Sequence, residues 1–338
     1  MATKYINSKW TLLDAAKIAS GDKVFRMLSV MNMLIDDFFM DIPFKECNMG
    51  LTYELVRATG MAASQAVGFY EGTKPSKRNG QRITEGVAML SRRREIDCRE
   101  IDRFGPEKGK IILDEQDKGH LQKLGEDVVD QFINGTTADG GENINGLKAR
   151  LNSLNPNGLN NVMSNGHSGP GTSVYVVEWN PVNDEGAFGI YPPGFRKNTK
   201  YGIKAENMGR EPRPDADDSE ATYYAYVAMF YAWFGLAVGD NRKIGRLANI
   251  NPVIGGSNSF TDGGMEKLIE LIGAMRINPQ RARIYVNPTI KTQMNIYAAQ
   301  KNNVQWPTTE VFGRPVPVFH EIPIRVTDVI SNKEAVVS

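Results

Sequence analysis

Residues 173–179 read SVYVVEW, and residues 222–234 read TYYAYVAMFYAWF. Both runs are dense in β-branched and aromatic side chains, which favour extended structure on a buried surface, so each predicts a strand. GIYPPG at 189–194 predicts a turn, because glycine and proline punctuate regular structure. A short strand is predicted at 283–286. The segment 311–337 alternates in strand fashion, and its prolines at 315, 317 and 323 indicate edge strands.

Helical spacing of apolar residues marks other parts of the chain. The predicted helices cover residues 11–18, 21–43, 116–133, 261–275 (capped by Thr261 or Asp262) and 288–301. These helices do not alternate regularly with the strands, and the sequence contains no internal repeat. The predicted fold class is therefore α+β.

A long two-stranded arm is predicted within residues 48–102. Extended segments at 52–56 and 82–101 flank the polar stretch EGTKPSKRNG at 71–80. This part of the chain has too few apolar residues for a core of its own, and an isolated two-stranded hairpin is only marginally stable in water. We therefore expect the arm, with a flexible polar tip, to lie on another surface.

Composition excludes several classes of protein. The 338 residues are 41% hydrophobic and 23% charged, with a formal net charge of +1, which is an ordinary globular balance. No apolar stretch approaches the roughly 20 residues that span a bilayer, and the first ten residues lack the apolar core of a signal peptide. Cys47 and Cys98 are the only cysteines. We therefore expect no disulfide framework, and we expect the protein to reside in a reducing compartment. The charge balance does not indicate a sequence-specific nucleic-acid reader.

No arrangement of residues predicts catalysis, a metal or a cofactor. His120, His167 and His320 are far apart, and no closely spaced pair of histidines or cysteines is present. The stretch SNGHSGPGT at 164–172 resembles a phosphate loop only superficially, because it lacks the lysine and is expected to lead into a strand rather than a helix. Asp37 and Asp41 are one helical turn apart and are interpreted as a solvated face. No catalytic, cofactor-binding or metal-binding residue is therefore predicted.

Three groups of residues, in their order along the chain, carry a family resemblance. The first comprises YVVEW at 175–179, GIYP at 189–192, Gly194, YGI at 201–203 and Gly209. The second comprises Trp233, Gly235, Leu236, Val238, Asp240, Arg242, Arg246, Asn249 and Ile250. The third comprises Gly313, Pro315, Val316, IPI at 322–324 and Asp328. Together they resemble the major capsid proteins of tailed bacteriophages, and within that family the short-tailed phages typified by epsilon15.

The resemblance implies the HK97-like capsid fold. On this basis residues 1–47 are expected to form the N-terminal arm and helix, 48–104 the extended loop, and 105–234 the peripheral domain with its spine helix. Residues 235–310 would form the axial domain, and 311–338 the C-terminal strands that return to the peripheral domain. Some relatives connect these parts in a permuted order, and the sequence does not distinguish the two arrangements.

The resemblance also implies function and partners. Such a protein is a structural subunit, not an enzyme, that assembles with itself into pentamers and hexamers of an icosahedral phage head. The implied partners are double-stranded DNA enclosed without sequence-specific binding, a portal protein, a separate scaffolding protein and a decoration or cement protein, with no membrane. The chain would be uncut, assembled in the host bacterial cytoplasm and located in the virion capsid. The alternatives are an encapsulin-like nanocompartment shell and a soluble enzyme with an unrecognised site.

Charged residues on and near the arm are candidates for contacts between subunits. Three consecutive arginines must point to both faces of a strand, and unpaired arginine is rarely buried. We therefore expect neither face there to be a dry core within the subunit, and we expect some of the arginines to meet the densest acidic run of a neighbour. The candidate residues are Arg92, Arg93, Arg94, Asp215, Asp217, Asp218 and Glu220.

Overall fold

The computed structural model describes residues 37–60, 62–77, 79–138, 140–154, 159–194, 202–214, 221–300, 308–311 and 314–338. The α-helices in this part of the chain are α1 (Asp37–Asp41), α2 (Cys98–Asp102), α3 (Pro106–Asn134), α4 (Leu147–Arg150), α5 (Met265–Ala274) and α6 (Pro288–Gln300). The strands are β1 (Phe44–Glu46), β2 (Thr52–Gly60), β3 (Asn79–Gly86), β4 (Ala88–Asp97), β5 (Val162–Ser164), β6 (Thr172–Glu178), β7 (Ala187–Tyr191), β8 (Ile203–Pro214), β9 (Thr222–Val238), β10 (Ile244–Ile250), β11 (Ala282–Val286), β12 (Thr308–Val311), β13 (Arg314–Phe319) and β14 (Ile322–Val326).

The chain divides into two compact units. The larger unit contains Asp36–Ala88, Val128–Pro193 and Phe234–Ser338, and the smaller one contains Met89–Asp127 and Gly194–Trp233. Three elements, β4, α3 and β9, contribute residues to both units. At Pro193 and Gly194, by contrast, the chain passes between the units through a turn.

The larger unit is built on a mixed sheet of seven described strands in the order β12-β13-β14-β11-β6-β10-β5. Every residue of β6 is buried, which explains why its sequence is almost continuously apolar: a strand covered on both faces has no side chain that must meet water. Val174 and Val176 point to one face, where they pack with α5 and α6 through Leu268 and Ile290. This face holds the main hydrophobic core of the unit.

Aromatic side chains cover part of the other face of the same sheet. Phe38 of α1 lies 4.5 Å from Tyr285 of β11 and 6.4 Å from Phe132 of α3, measured between ring centroids. Phe38 also meets the Trp179 ring edge-on at 6.0 Å. Because offset and edge-to-face contacts are the favoured geometries for aromatic pairs, this cluster fixes α1 and the end of α3 on the sheet.

The smaller unit consists of β4, β8 and most of β9, together with α2 and the first three-quarters of α3. β8 pairs antiparallel with β9 from Ile203 opposite Ala232 to Pro214 opposite Thr222, and β4 is a neighbour of β9 in the same sheet. Burial in this part of β9 alternates between half-buried and buried residues, as expected where one face is covered and the other is open.

The helix α3 is longer than the sequence predicts. It starts at Pro106 rather than Gln116, because proline is well tolerated at the first helical position, where its missing N–H is not needed. The segment 106–115 lacks apolar periodicity and is largely exposed, so sequence periodicity does not detect it. Its end at Asn134–Gly135 agrees with the prediction. The predicted helices at 11–18 and most of 21–43 lie outside the described residues; only α1 is seen, and it ends two residues before Pro43.

The strand predictions are largely confirmed, with three corrections. GIY at 189–191 lies in β7 rather than in a turn, because it pairs with β9 from Ala187 opposite Val238 to Ile190 opposite Gly235. The second strand of the predicted arm does not run to Ile101: its pairing with β2 ends at Gly86, and β4 belongs to another sheet. The proline-bearing strands β13 and β14 are internal rather than edge strands.

The structure shows how prolines fit inside this sheet. β13 and β14 pair through only two residue pairs, Val318 with Pro323 and Phe319 with Ile322, so few ladder hydrogen bonds are required. Pro315 and Pro317 are two residues apart, and alternate residues of a strand direct their N–H groups to the same side. The missing donors therefore affect one side of β13 only.

Candidate subunit-contact surfaces

The strands β2 and β3 form a hairpin that belongs to the larger unit. The two strands pair from Thr52 opposite Gly86 to Gly60 opposite Asn79, and a nine-residue strand is about 30 Å long. Side chains near its base are buried, whereas residues 62–77 are all exposed. The hairpin therefore has a docked base and a free distal half.

A small apolar cluster holds the base of the hairpin on its own subunit. Tyr53 and Leu55 of β2 are buried against Phe188 and Ile190 of β7, with Cys47 beneath them. The Tyr53 hydroxyl also donates to the carboxylate of Asp184 over 2.8 Å. The arm was expected to lie on another surface. Its base lies on the surface of its own subunit, and only the distal half of the hairpin is left uncovered.

Two arginines tie the hairpin to the end of β9. Arg57 donates from Nη2 to the carbonyl oxygen of Val238 at 2.7 Å and from Nε to that of Gly239 at 3.1 Å. Arg150 grips the carboxylate of Glu85 with two hydrogen bonds of 2.7 and 2.6 Å and also reaches the carbonyl of Leu236. Because charge-assisted, two-pronged contacts fix orientation as well as position, they set the direction in which the hairpin leaves the body.

Close backbone packing complements these contacts. Gly235 lies on β9 next to the hairpin base, and a Cβ there would stand 2.6 Å from the carbonyl oxygen of Gly86. Such a distance is too short for any side chain, so β9 can pass this point only with glycine. Gly235, one of the residues that carry the family resemblance, thus has a packing function.

The arginine run on β4 lies in the smaller unit and is engaged within the chain. Arg94 is buried, with 2% of its side chain exposed, and pairs with Asp117 of α3 at 2.7 Å. It also donates to the carbonyl of Leu113. Arg92 pairs with Asp127 of the same helix at 3.0 Å. The expectation that neither face of this strand forms an intrasubunit core is wrong for Arg94, because α3 supplies the carboxylate that the strand sequence alone does not reveal.

Arg93 remains the accessible member of the run. Its side chain is 52% exposed and contacts Glu95 two residues further along the strand, at 2.8 Å. The acidic residues proposed to meet the arginines, Asp215, Asp217, Asp218 and Glu220, lie outside the described residues. A contact between Arg93 and an acidic run on another subunit therefore stays a prediction.

Two buried ion-pair networks were not predicted. Arg246 of β10 and Glu334 near the C-terminus are each 2% exposed and lie 2.9 Å apart. Asp41 at the end of α1 contacts Arg283 and Arg325 at 3.3 and 3.2 Å, and its side chain is 4% exposed. The interpretation of Asp37 and Asp41 as a solvated face is therefore wrong for Asp41. Both networks join residues more than eighty positions apart, so no local pattern in the sequence could have indicated them.

The residues considered for chemistry are dispersed in the described part of the chain. His120 of α3 stacks on Phe230 with an interplanar angle of 13°, and burial, followed by the charges of Arg92 and Arg94, lowers its pKa. Cys47 and Cys98 are buried free thiols. Within the described residues no group of three or more His, Cys, Asp or Glu side chains is placed to hold a metal ion. Residues 164–172 join two strands, β5 and β6.

Among the helices described, none combines the length and the apolar character needed to cross a bilayer.

Three of the solved structures to which this chain is similar are a phage particle, a phage capsid and an encapsulin. A chain in the structure of bacteriophage Epsilon15 is 21% identical, covers 88% of each chain and gives a TM-score of 0.62. The bacteriophage JBD30 capsid is 9% identical over 94% of this chain and 99% of that one, with a TM-score of 0.49. The SrpI encapsulin from Synechococcus elongatus is 10% identical over 71% and 96%, with a TM-score of 0.42. The first of these similarities shows the HK97-like fold.

Sequence comparison covers almost the whole chain. No curated protein matches it significantly. The family model of the major capsid protein GP7, however, matches residues 20–338, a range that includes the hairpin, α3 and both ion-pair networks. The chain therefore belongs to the major capsid protein GP7 family.

Proposed function

We propose that this major capsid protein assembles with itself into the pentamers and hexamers of an icosahedral phage head that encloses double-stranded DNA. The observation that carries the proposal is the hairpin, whose base is fixed on its own subunit while residues 62–77 are exposed throughout. A fixed, projecting ribbon is costly in a monomer and useful when many copies meet. The low net charge of +1 allows many copies to pack without strong mutual repulsion.

The proposal includes an assignment of parts. The hairpin from Thr52 to Gly86 is the paired portion of the extended loop expected at 48–104, and α3 is the spine helix of the peripheral domain expected at 105–234. The axial domain would lie within 235–310, and residues 311–338 would form the returning strands. Residues 1–47 would supply the N-terminal arm.

Further partners belong to the same proposal. They are a portal protein, a separate scaffolding protein, a decoration or cement protein, and DNA bound without sequence preference. Assembly would take place in the cytoplasm of the bacterial host, and the finished protein would reside in the virion capsid. The chain would act as a structural subunit without enzymatic activity.

Electron microscopy and native mass spectrometry of the expressed protein test the proposal. Closed shells, or five- and sixfold capsomers, are expected, either from the chain alone or after addition of a crowding agent. Protein that stays monomeric under all these conditions would contradict it. Particle contents separate the alternatives, because packaged DNA during infection indicates a phage head, whereas specific enzyme cargo indicates an encapsulin-like compartment.

A further inference from the structure

The tip of the hairpin carries two aromatic side chains with nothing over them. Phe69 is 99% exposed and Tyr70 is 109% exposed relative to the reference state, which makes them the most exposed large hydrophobic residues among those described. Isolated exposed apolar residues are common on soluble proteins. Two adjacent aromatic rings at the end of a projecting ribbon indicate a binding surface, because aromatic residues are among the side chains most enriched where protein surfaces bind one another.

A closed turn holds the two rings in this position. The backbone N–H of Glu71 donates to the carbonyl of Gly68 at 3.3 Å, and the carboxylate of Glu71 accepts from the N–H of Gly68 at 3.1 Å. These two bonds close a turn with Phe69 and Tyr70 at its central positions. The turn therefore holds both aromatic side chains at the exposed end of the hairpin.

The backbone of Tyr70 gives a second, independent observation. Its φ angle is +67°, a region that bulky residues rarely adopt and that glycine or asparagine normally occupies at this position of a turn. Non-glycine residues in such conformations persist mainly where they serve a site. The two neighbouring glycines, Gly68 and Gly72, do not occupy this position; a tyrosine does.

Cross-ribbon contacts continue behind the tip and keep it together. The side chain of Gln65 accepts from the N–H of Lys74 at 3.4 Å, and the hydroxyl of Ser76 donates to the carbonyl of Ala63 at 2.8 Å. These contacts link the two sides of the loop over its whole length. A ribbon linked in this way loses less conformational freedom on binding than an open loop would, which favours association.

We infer that Phe69 and Tyr70 form the anchor with which the hairpin binds a second copy of this chain. The inference rests on the proposed function: in a shell built from one protein, the surface that a projecting arm meets at high local concentration is another subunit. The charged residues behind the tip, Glu71, Lys74 and Lys77, would then remain at the rim of the contact, as charged residues do in stable interfaces.

Two double variants test whether Phe69 and Tyr70 contribute to assembly or are exposed residues without a role in it. Phe69→Ser with Tyr70→Ser removes the apolar surface, whereas the matched control Phe69→Leu with Tyr70→Phe retains it. Because both side chains are exposed, neither variant should change the melting temperature of the unassembled subunit. The serine variant should raise the subunit concentration needed for assembly by about tenfold or more, as loss of an interface anchor does, and the control should assemble like the wild type.

Tyr70→Gly provides an independent readout of the strained backbone. Glycine suits a φ of +67°, so the isolated subunit should be as stable as the wild type or slightly more stable. Assembly should nevertheless be impaired, because the ring is lost. Normal assembly of both the glycine and the serine variants would overturn the inference.

Photo-crosslinking identifies the partner directly. A benzoylphenylalanine placed at position 69 in assembled particles should yield a product of twice the subunit mass that contains only this chain. Crosslinks to a different protein, or none in particles that assemble normally, would overturn the inference even if the serine variant failed to fold. Failure of the wild-type protein to form shells at all would instead overturn the proposed function.

Discussion

A buried charged side chain is tolerated only where the fold supplies an opposite charge and hydrogen-bond partners. Arg246 has both. Its guanidinium group donates to the Ser173 hydroxyl at 3.0 Å, to the Leu151 carbonyl at 2.9 Å and to Glu334 at 2.9 Å. Glu334 in turn accepts from the hydroxyls of Ser173 and Tyr175. Its backbone also exchanges two hydrogen bonds with Gly171. The pair thus fastens the last residues of the chain to the central sheet.

Replacement of Glu334 by glutamine should be strongly destabilising. The substitution leaves the Arg246 charge buried without a counter-charge, and breaking such a pair costs about 3–5 kcal/mol of unfolding free energy. Urea unfolding of the unassembled subunit measures this loss. The matched control is Glu270→Gln, which breaks the exposed pair with Lys267, where the side chains are 57% and 46% exposed, and should cost no more than about 1 kcal/mol. Equal effects of the two substitutions would contradict the argument.

His120 predicts how the smaller unit responds to acid. Burial, then Arg92 and Arg94, lowers its pKa, so the unfolded chain takes up a proton at a higher pH than the folded one does. Stability is therefore highest while the imidazole is neutral and falls as the pH drops below about 6.5, the ordinary histidine value. Urea midpoints measured across this range should decline less in His120→Gln than in the wild type. Parallel pH profiles of the two proteins would show that His120 plays no part.

At the scale of the element, the hairpin combines a docked base with a free end. The apolar cluster around Tyr53 and Leu55 supplies burial, and Arg57 and Arg150 supply direction. Cys47 lies within the cluster, and burial, assisted by the charge of Glu46, raises its thiol pKa to about 11. The thiol is therefore both covered and protonated at neutral pH, so its reactivity reports on opening of the hairpin base.

Replacement of Arg57 by alanine should loosen the hairpin without unfolding the protein. The loss of two hydrogen bonds from a charged donor is worth about 1.5–3 kcal/mol of local stability, which corresponds to roughly tenfold or more in the population of the open state. Labelling of Cys47 by a thiol reagent should accelerate accordingly, while the buried Cys98 on α2 serves as an internal control. Arg82→Ala removes only an exposed cross-strand pair with Glu54 and should leave Cys47 labelling unchanged; acceleration by both variants would argue against a specific role for Arg57.

Much of this element was predictable from sequence, and the reason for the remainder is physical. The extended segments and the polar stretch between them indicate a hairpin because pairing and turn chemistry are local. The end of the arm at Gly86 was missed because β3 and β4 read as one extended run, and only long-range pairing separates them. Arg94 was misinterpreted for the same reason: its partner Asp117 lies on a helix whose start carries no periodic signal.

At the scale of the whole molecule, the fold of this shell subunit depends on pairing between strands that are far apart in the sequence. The strand β6 is flanked by β11 and β10, which lie far apart in sequence, and the family resemblance was visible only because several weak motifs kept their order. The exposed tip residues Phe69 and Tyr70, by contrast, belong to none of these motifs. The sequence therefore reveals the fold and the family more readily than it reveals which side chains join the subunits.

Limited proteolysis tests whether the distal hairpin meets another subunit in the assembled state. Trypsin should cleave the unassembled subunit first after Lys77, which is exposed and lies outside the paired strands, or after the adjacent Arg78. Lys74 precedes Pro75, and trypsin does not cut before proline. Arg82 lies within β3 and should be cut more slowly. Assembled shells should protect these sites, since a docked ribbon cannot enter the protease cleft. Lys77→Gln with Arg78→Gln is the matched control and should remove the early cleavages without altering assembly. Equal cleavage rates in free subunits and in intact shells would show that the distal hairpin stays uncovered. The anchoring role of the arm would then be wrong, even if the shells themselves form normally.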